Sequence, residues 1–466
     1  MKINTNQEKI LKKVLKKITP KKKHEKKQLE FAKKLIEKIK TTKGPHLDAE
    51  LVGSVARGTH LSGDNDLDIF VFYPPEIPRE KFENHGIALG KQIFKGHKWE
   101  LAYSEHPYVR GTISGHKVEI IPTYKIRDTS LMKSAVDRSP FHNNYLKEKL
   151  TPQLCNEIRL LKQFMKGIKC YGADLSMNSF PGYVAELLII KYGSFIDTLK
   201  AASNWKKNQV IDIENSYMEE EAIKKFGNHH FIIIDPVDIN RNVAAALSEQ
   251  QYARFISASR KFLEKPSHKF FFQNKHKPLS KKKLQKYLDK TEIVAIKFKY
   301  PKKVIEDQMW GQLKKLAKKI TTMAKEQEFN IKRQGEWLKK DDIMIIVLEL
   351  ESKKLQKARI QTGPEVFDAE NSKAFLEAHK KPFSGPRIEN TRWIVETERK
   401  YTNIEDYITK LLKKFKKEEK EDLRKAIKQG TKILNEKEIK KLYETNNEFS
   451  KFFTTFLKGK EEFLEY

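Results

Sequence analysis

The sequence predicts an α+β chain of several domains: an N-terminal domain with a mixed β-sheet over residues 1–148, a central helical domain over 149–263, and an α+β body with a tail over 264–466. Three observations predict this. The chain has 466 residues, and at ~150 residues per domain that is about three domains, each large enough for a core of its own. The hydrophobic period changes from helical to two near Ala49 and back to helical near Thr151, then alternates from about Ile293. The stretch Glu264 to Lys290, with Pro266, Pro278 and many lysines, reads as a linker.

Residues 1–43 read as two amphipathic helices. Ile10, Leu11, Val14, Leu15 and Ile18 form one stripe, and Leu29, Ala32, Leu35, Ile36 and Ile39 form another after the break at Pro20. Strands follow at Ala49 to Val52, Leu67 to Phe72, Tyr108 to Ile113 and Lys117 to Ile121, with Ser114-Gly115 as a hairpin turn. Leu154, Ile158, Leu161 and Met165 mark a helix, and a second apolar helix is expected from Tyr183 to Leu199. Phe231 to Ile234 reads as a strand. The last unit alternates strand Ile293–Tyr300, helix Trp310–Glu328, strand Ile343–Leu350, helix Ser372–His379, strand Trp393–Glu398 and helix Ile404–Phe415, followed by basic helices. Trp310, Trp337 and Trp393 are expected to be structural rather than stacking platforms.

Lys and Arg total 93 against 62 Asp and Glu, a net +31. Such an excess implies a polyanionic partner, with a lysine-rich compositional bias as the plainer account. Two cysteines, Cys155 and Cys170, exclude a disulfide scaffold or a CxxC zinc site and point to a reducing compartment. The longest apolar runs, Leu187–Ile190 and Ile343–Leu348, fall far short of the ~20 residues a membrane span needs. The Lys-rich N-terminus lacks an apolar core of signal-peptide length, so a cytoplasmic protein without a membrane partner is expected.

The most specific local pattern is Gly53-Ser54, eleven residues, then Asp66-Leu67-Asp68 on a strand, and Val118-Glu119-Ile120 on a later strand. Alternate strand residues share a face, so Asp66 and Asp68 project together while Leu67 and Ile69 enter the core. Glu119 supplies a third carboxylate. Three acids on one face repel one another unless cations compensate them, and hard divalent ions with oxygen ligands do this, which implies a two-metal site. Gly53 lets the backbone turn after its strand, and Ser54 at a helix start is placed to hold a phosphate. The plainer reading is a polar turn and an N-cap. Gly86 to Lys91 looks like a phosphate loop by eye, but it is one residue short between the glycines and has Gln92 where Ser or Thr belongs, so it reads as helix.

These residues resemble the DNA polymerase β-like nucleotidyltransferase superfamily. The flanking text is similar to archaeal, class I CCA-adding enzymes (tRNA nucleotidyltransferases): Gly53 to Thr59, Glu105 to Val109, Ser134 to His142, and Asp235 to Asp238 with Arg241 to Ala245. The likeness runs from about residue 47, is dense through residue 255 and thins beyond. It implies a nucleotidyltransferase catalytic domain, a central substrate domain and a ferredoxin- or RRM-like tRNA-binding body. It also implies Mg²⁺ on Asp66, Asp68 and Glu119; Ser54, Arg57, Lys162 and Tyr171 around the triphosphate; Ser139 and His142 near ribose and base; and Arg241 at the base edge. Residue chemistry agrees in part: the Arg fork offers paired donors, and Lys162 falls on the polar face of its helix. The plainer readings are an exposed lysine for Lys162, a pair with Asp238 for Arg241 and a core role for Tyr171. The family usually has Asp at Glu119 and Thr at Ser139.

The function implied is template-independent addition or repair of the 3′-terminal CCA of tRNA from CTP and ATP, releasing pyrophosphate. A poly(A) polymerase-like or other RNA nucleotidyltransferase keeps the chemistry and changes the acceptor. A non-catalytic RNA-binding protein is the alternative from another class. A homodimer is compatible with the sequence.

Overall fold

Apolar residues at helical spacing among lysines form both N-terminal helices, α1 over Thr5–Ile18 and α2 over Lys22–Thr41. Pro20 between them lacks the N–H a continuous helix would need. The computed structural model describes all residues except 1–4, 65, 104, 173–177, 228, 273–276, 303, 305 and 466, and leaves aside the side chains of 6, 307 and 465. It forms two units, Met1–Lys275 with Glu461–Tyr466, and His276–Lys460.

In the first unit, β1 (Asp48–Val52), a turn of helix α3 (Gly53–Ala56), β2 (Asp66–Tyr73), α4 (Arg79–Ile93), β3 (Trp99–Tyr103), β4 (Pro107–Ile113) and β5 (His116–Tyr124) build a five-stranded sheet. Its order is β1-β2-β5-β4-β3, with β2 and β5 parallel and the other neighbours antiparallel. The β4–β5 hairpin turns at Ser114 and Gly115, both with positive φ, as the sequence predicts. Leu67, Ile69, Val71, Val118 and Ile120 point into a core shared with Leu35 and Ile39 of α2 and Leu89 of α4. The glycines of the look-alike phosphate loop lie in α4, where they bring helix and sheet together: a Cβ at Gly86 would stand 2.8 Å from Pro122 Cγ, and one at Gly90 2.5 Å from Val109 Cγ2.

The helical part comprises α5 (Ser139–Lys149), α6 (Pro152–Gly167), α7 (Gly182–Tyr192), α8 (Phe195–Ser203), a three-stranded sheet of β6 (Gln209–Ile211), β7 (Phe231–Asp235) and β8 (Asp238–Asn242) with α9 (Glu219–Phe226), and α10 (Glu249–Glu264). The single helix expected from Tyr183 to Leu199 is two. Gly193 takes a left-handed φ of 79° at the end of α7, and the Ser194 hydroxyl caps α8. Of the linker expected over Glu264–Lys290, the described residues are partly built into the cores: Lys281–Leu288 form a helix. Phe270 and Phe271 are fully buried, ringing Phe164 together with Phe195, Phe255 and Phe262. Val14 and Ile18 of α1 join this core, as does Phe463 near the C-terminus.

The second unit runs α11 (Lys281–Leu288), β9 (Glu292–Lys299), α12 (Glu306–Glu326), β10 (Ile331–Lys339), β11 (Ile343–Leu350), β12 (Ala358–Glu365), α13 (Ala369–Ala378), β13 (Ser384–Glu389), β14 (Arg392–Glu398), α14 (Ile404–Glu418), α15 (Glu421–Gln429), β15 (Thr431–Leu434), α16 (Glu436–Thr445) and α17 (Asn447–Lys458). It contains a four-stranded antiparallel sheet, β10-β11-β9-β15, and a three-stranded one, β12-β14-β13. All eight residues of β11 are buried because helices cover both faces: α12, α14 and α15 on one, α11, α16 and α17 on the other. Trp337 and Trp310 pack against these two cores, a structural use as expected. The α+β class predicted is the class observed. No helix among the described residues is long and apolar enough to cross a membrane.

Candidate active site

Strand register places the acidic residues. Asp68 stands opposite Val52 on β1 and Glu119 on β5; Glu119 stands opposite Arg110 on β4, and Arg110 opposite Glu100 on β3. A row of charged residues therefore crosses the sheet, the two acids Asp68 and Glu119 side by side and then Arg110 and Glu100, with Arg110 Nη2 3.0 Å from Glu100 Oε1. Asp66, two residues before Asp68, shares its face, so the predicted alternation of the acids holds. Gly53, the first residue after β1, has φ +86°, and a Cβ there would overlap Asp68 Oδ2, so only glycine brings the backbone this close to the carboxylate.

This face is short of positive charge. Burial, then repulsion by Glu119 and Asp66, pushes the Asp68 carboxyl up to about 7 despite Arg57 nearby. Burial also raises Glu119, against the Tyr108 hydroxyl and Arg110. No ion pair reaches Asp68 among the described residues. An acidic, all-oxygen donor set with this deficit suits a divalent cation of the magnesium or calcium type, which would reverse both shifts. The three carboxylates are not drawn together as they stand: Asp66 is exposed with Oδ1 3.5 Å from Lys117 Nζ, and among the described residues no three His, Cys, Asp or Glu groups already converge on one ion position.

Above the row lies a cavity of about 350 Å³, lined among others by Gly53, Arg57, Asp68, Glu119, Ser139 and His142. Five of the ten residues singled out from sequence thus meet at one place. Ser54 is next to it, half-buried in α3. The other four stand at its margin or behind it.

Arg57 places Nη2 2.9 Å from Glu186 Oε2 and Nη1 3.2 Å from Asn143 Oδ1. Lys162 does not lie on an exposed polar face as the sequence suggested. It is 2% exposed, with Nζ 2.9 Å from Glu186 Oε1 and 3.1 Å from Thr59 Oγ1. Burial alone would raise the Glu186 carboxyl, but Arg57 and Lys162 outweigh it and hold it at about 2. Tyr171 is half-buried and bridged to Phe180; Lys166 Nζ stands 5.5 Å from the centre of its ring, and a Cβ on Gly182 would be 3.0 Å from its hydroxyl.

On the opposite side, His142 Nε2 lies 2.8 Å from Asp235 Oδ2, and its ring stacks on Tyr183 at 4.0 Å. Arg241 pairs not with Asp238 but with the same Asp235 oxygen, Nη1 at 2.8 Å, while Asp238 pairs with Arg138 at 3.0 Å. Sequence reasoning gave no role to Glu186, Asp235 or Tyr183, although Asp235 stands among the residues that carry the resemblance. Glu186 carried a usable signal: it is the lone acid in the apolar run Val184–Ile190, and a charge in such a helix must find a partner.

Residues 32–142 match the family described as nucleotidyltransferase domain, 156–272 that described as tRNA nucleotidyltransferase, second domain, and 289–436 that described as CCA-adding enzyme, C-terminal domain. The chain is 38% identical to the CCA-adding enzyme of Methanocaldococcus jannaschii, over 86% of this chain and 89% of that one. The enzymes of the same name from Methanosarcina mazei and Archaeoglobus fulgidus are 36% and 34% identical, over 78% and 76% of this chain and 79% and 78% of theirs. With likeness of this degree running from the acidic sheet through the C-terminal unit, the chain belongs to the archaeal CCA-adding enzymes, a family of nucleotidyltransferases.

Proposed function

We propose that this enzyme builds or repairs the 3′-terminal CCA of tRNA from CTP and ATP without a nucleic-acid template, in the cytoplasm, as a monomer or homodimer. The observation that carries the reading is the cavity in which Asp68 and Glu119 stand on one rung of the sheet beneath Arg57, Ser139 and His142. Asp66, Asp68 and Glu119 would hold Mg²⁺, which supplies activation of the tRNA 3′-hydroxyl and neutralises charge on the α-phosphate and on departing pyrophosphate.

The protein's own residues do the rest. Arg57, which lines the cavity, would offer the triphosphate the N–H groups that Glu186 and Asn143 leave free, with Ser54 at the start of α3 beside it. Lys162 would act through its ion pair with Glu186, the same carboxylate that holds Arg57, and Tyr171 would add a hydroxyl to the triphosphate site. Ser139 and His142 meet ribose and base, and Arg241 meets the base edge, where cytosine and adenine differ in donors and acceptors. In this reading residues 1–148 are catalytic, 149–263 bind nucleotide and the tRNA end, and 264–466 hold the tRNA by shape and phosphate contacts.

The test is nucleotide-resolution product analysis on a tRNA ending at the discriminator base, with CTP alone, ATP alone and both. The expected result is C addition with CTP alone, none with ATP alone, and a stop after three nucleotides with both. Open-ended extension with ATP would make it a poly(A) polymerase-like enzyme. Binding without any incorporation would make it an RNA-binding protein.

A further inference from the structure

Two of the proposed base-proximal residues converge on a third that the family resemblance did not assign. Asp235, at the end of β7, is fully buried. Its carboxylate receives His142 Nε2 from α5 and Arg241 Nη1 from β8 on the same oxygen, Oδ2, each at 2.8 Å. On Oδ1 it receives the Tyr183 hydroxyl of α7 at 3.4 Å and the Val237 amide at 3.2 Å. All five residues of β7 are buried, so the acceptor is fixed to the core of the helical part.

That convergence has two consequences. A neutral imidazole has one N–H, and an acceptor-only carboxylate facing Nε2 requires the proton to be there, which leaves Nδ1 as an acceptor. Burial lowers the pKa of His142 even with Asp235 beside it, in keeping with a neutral ring. The stack on Tyr183 fixes the ring plane. Arg241, with about a third of its side chain exposed, has one arm tied to Asp235 and its remaining donors in a set direction.

Resting on the nucleotide reading above, we infer that Asp235 is a positioning residue for base selection, fixing the His142 tautomer and the Arg241 guanidinium so that the incoming base meets a rigid pair of groups. Cytosine and adenine differ in where donors and acceptors sit, so discrimination depends on holding the protein's groups in one direction rather than on their presence alone. Because both bind one oxygen, loosening Asp235 releases both.

The experiment compares wild type with Asp235→Asn on tRNA lacking CCA, measuring kcat/KM for CTP and for ATP at the first added position, beside thermal melts. The amide keeps the shape and removes the charge. The expected result is a CTP-over-ATP preference at least tenfold lower in the variant. A variant that melts earlier but keeps the preference within twofold overturns the inference, since a structural ion pair would do no more. Should the variant not fold, side-chain ¹⁵N shifts of His142 in the wild type, assigned with His142→Gln, decide it: protonated Nε2 supports the inference, and protonated Nδ1 overturns it. A wild type that makes no CCA strikes the underlying reading. A wild type that makes CCA beside an unchanged Asp235→Asn strikes only this inference.

Discussion

Asp68 and Glu119 face each other across neighbouring strands with their carboxyls raised, an arrangement that destabilises the metal-free fold and favours cation binding. The folded-state pKa of Asp68, about 7, lies above the unfolded value of 3.8, so its contribution is fully present below that value and is lost as pH rises toward 7. Asp68→Asn should therefore be more stable than wild type at pH 8 in chelator, by on the order of a few kcal/mol, with the gap narrowing as pH falls below 7 and closing only near 3.8. Thermal melts across that range check it, and parallel curves for the two proteins would contradict it. At Glu119 the side chain is engaged by Tyr108 and faces Arg110 across the ladder, so its charge is held in place. Glu119→Gln should lose at least ~100-fold in incorporation rate, while Glu119→Asp keeps part of it across a magnesium titration. A near-normal Glu119→Gln would send the third ligand to Asp64 or Glu105. The acidic residues were legible in the sequence because strand alternation is a local rule. The burial of Lys162 was not, because it depends on Glu186 one helix further on, and Asp235 was not, because its partner His142 lies 93 residues away.

At the scale of elements, the start of the segment after α10 that reads as a polar linker is tied to the core by two adjacent phenylalanines, Phe270 and Phe271. Phe271→Ala should destabilise the first unit by ~3–5 kcal/mol, the usual cost of emptying a buried aromatic site. Denaturant melts measure it, and a loss below ~1 kcal/mol would mean the segment is not part of the core. Prolines and lysines outvoted Phe270 and Phe271 in the sequence reading, since composition over a window conceals two residues that pack. The unforeseen strands have a similar cause. On β3, Trp99, Leu101 and Tyr103 point to solvent from an edge strand, so the apolar half of the alternation is on the wrong side to signal burial. On β12 and β13 most residues are at least partly exposed, and β6 has only three residues. Where burial is one-sided and sustained, as in α6, α14 and β2, pattern and structure agree. The split of one expected helix into α7 and α8 was written in Gly193-Ser194, a left-handed C-cap followed by an N-cap, which the continuous apolar pattern masked.

For the whole molecule, a net +31 bears on affinity for RNA rather than on the chemistry of the acidic row. Affinity for tRNA should fall steeply between low and physiological salt, because each neutralised phosphate releases counterions, by a factor of ~10³ or more if six or more contacts form. Filter binding over a salt series measures this, and nearly constant affinity would mark the lysine excess as compositional bias. The same division of labour gives the most direct test of the account: incorporation and gel-shift assays run on the same preparations of Asp66→Ala and Asp68→Ala. Each variant should lose nucleotide addition to below a few per cent of wild type, by on the order of 10²-fold or more, while binding tRNA with affinity within about threefold, since the carboxylates serve the reaction and the basic surface serves affinity. Either variant retaining substantial addition would contradict the assignment of the reaction to this row of the sheet.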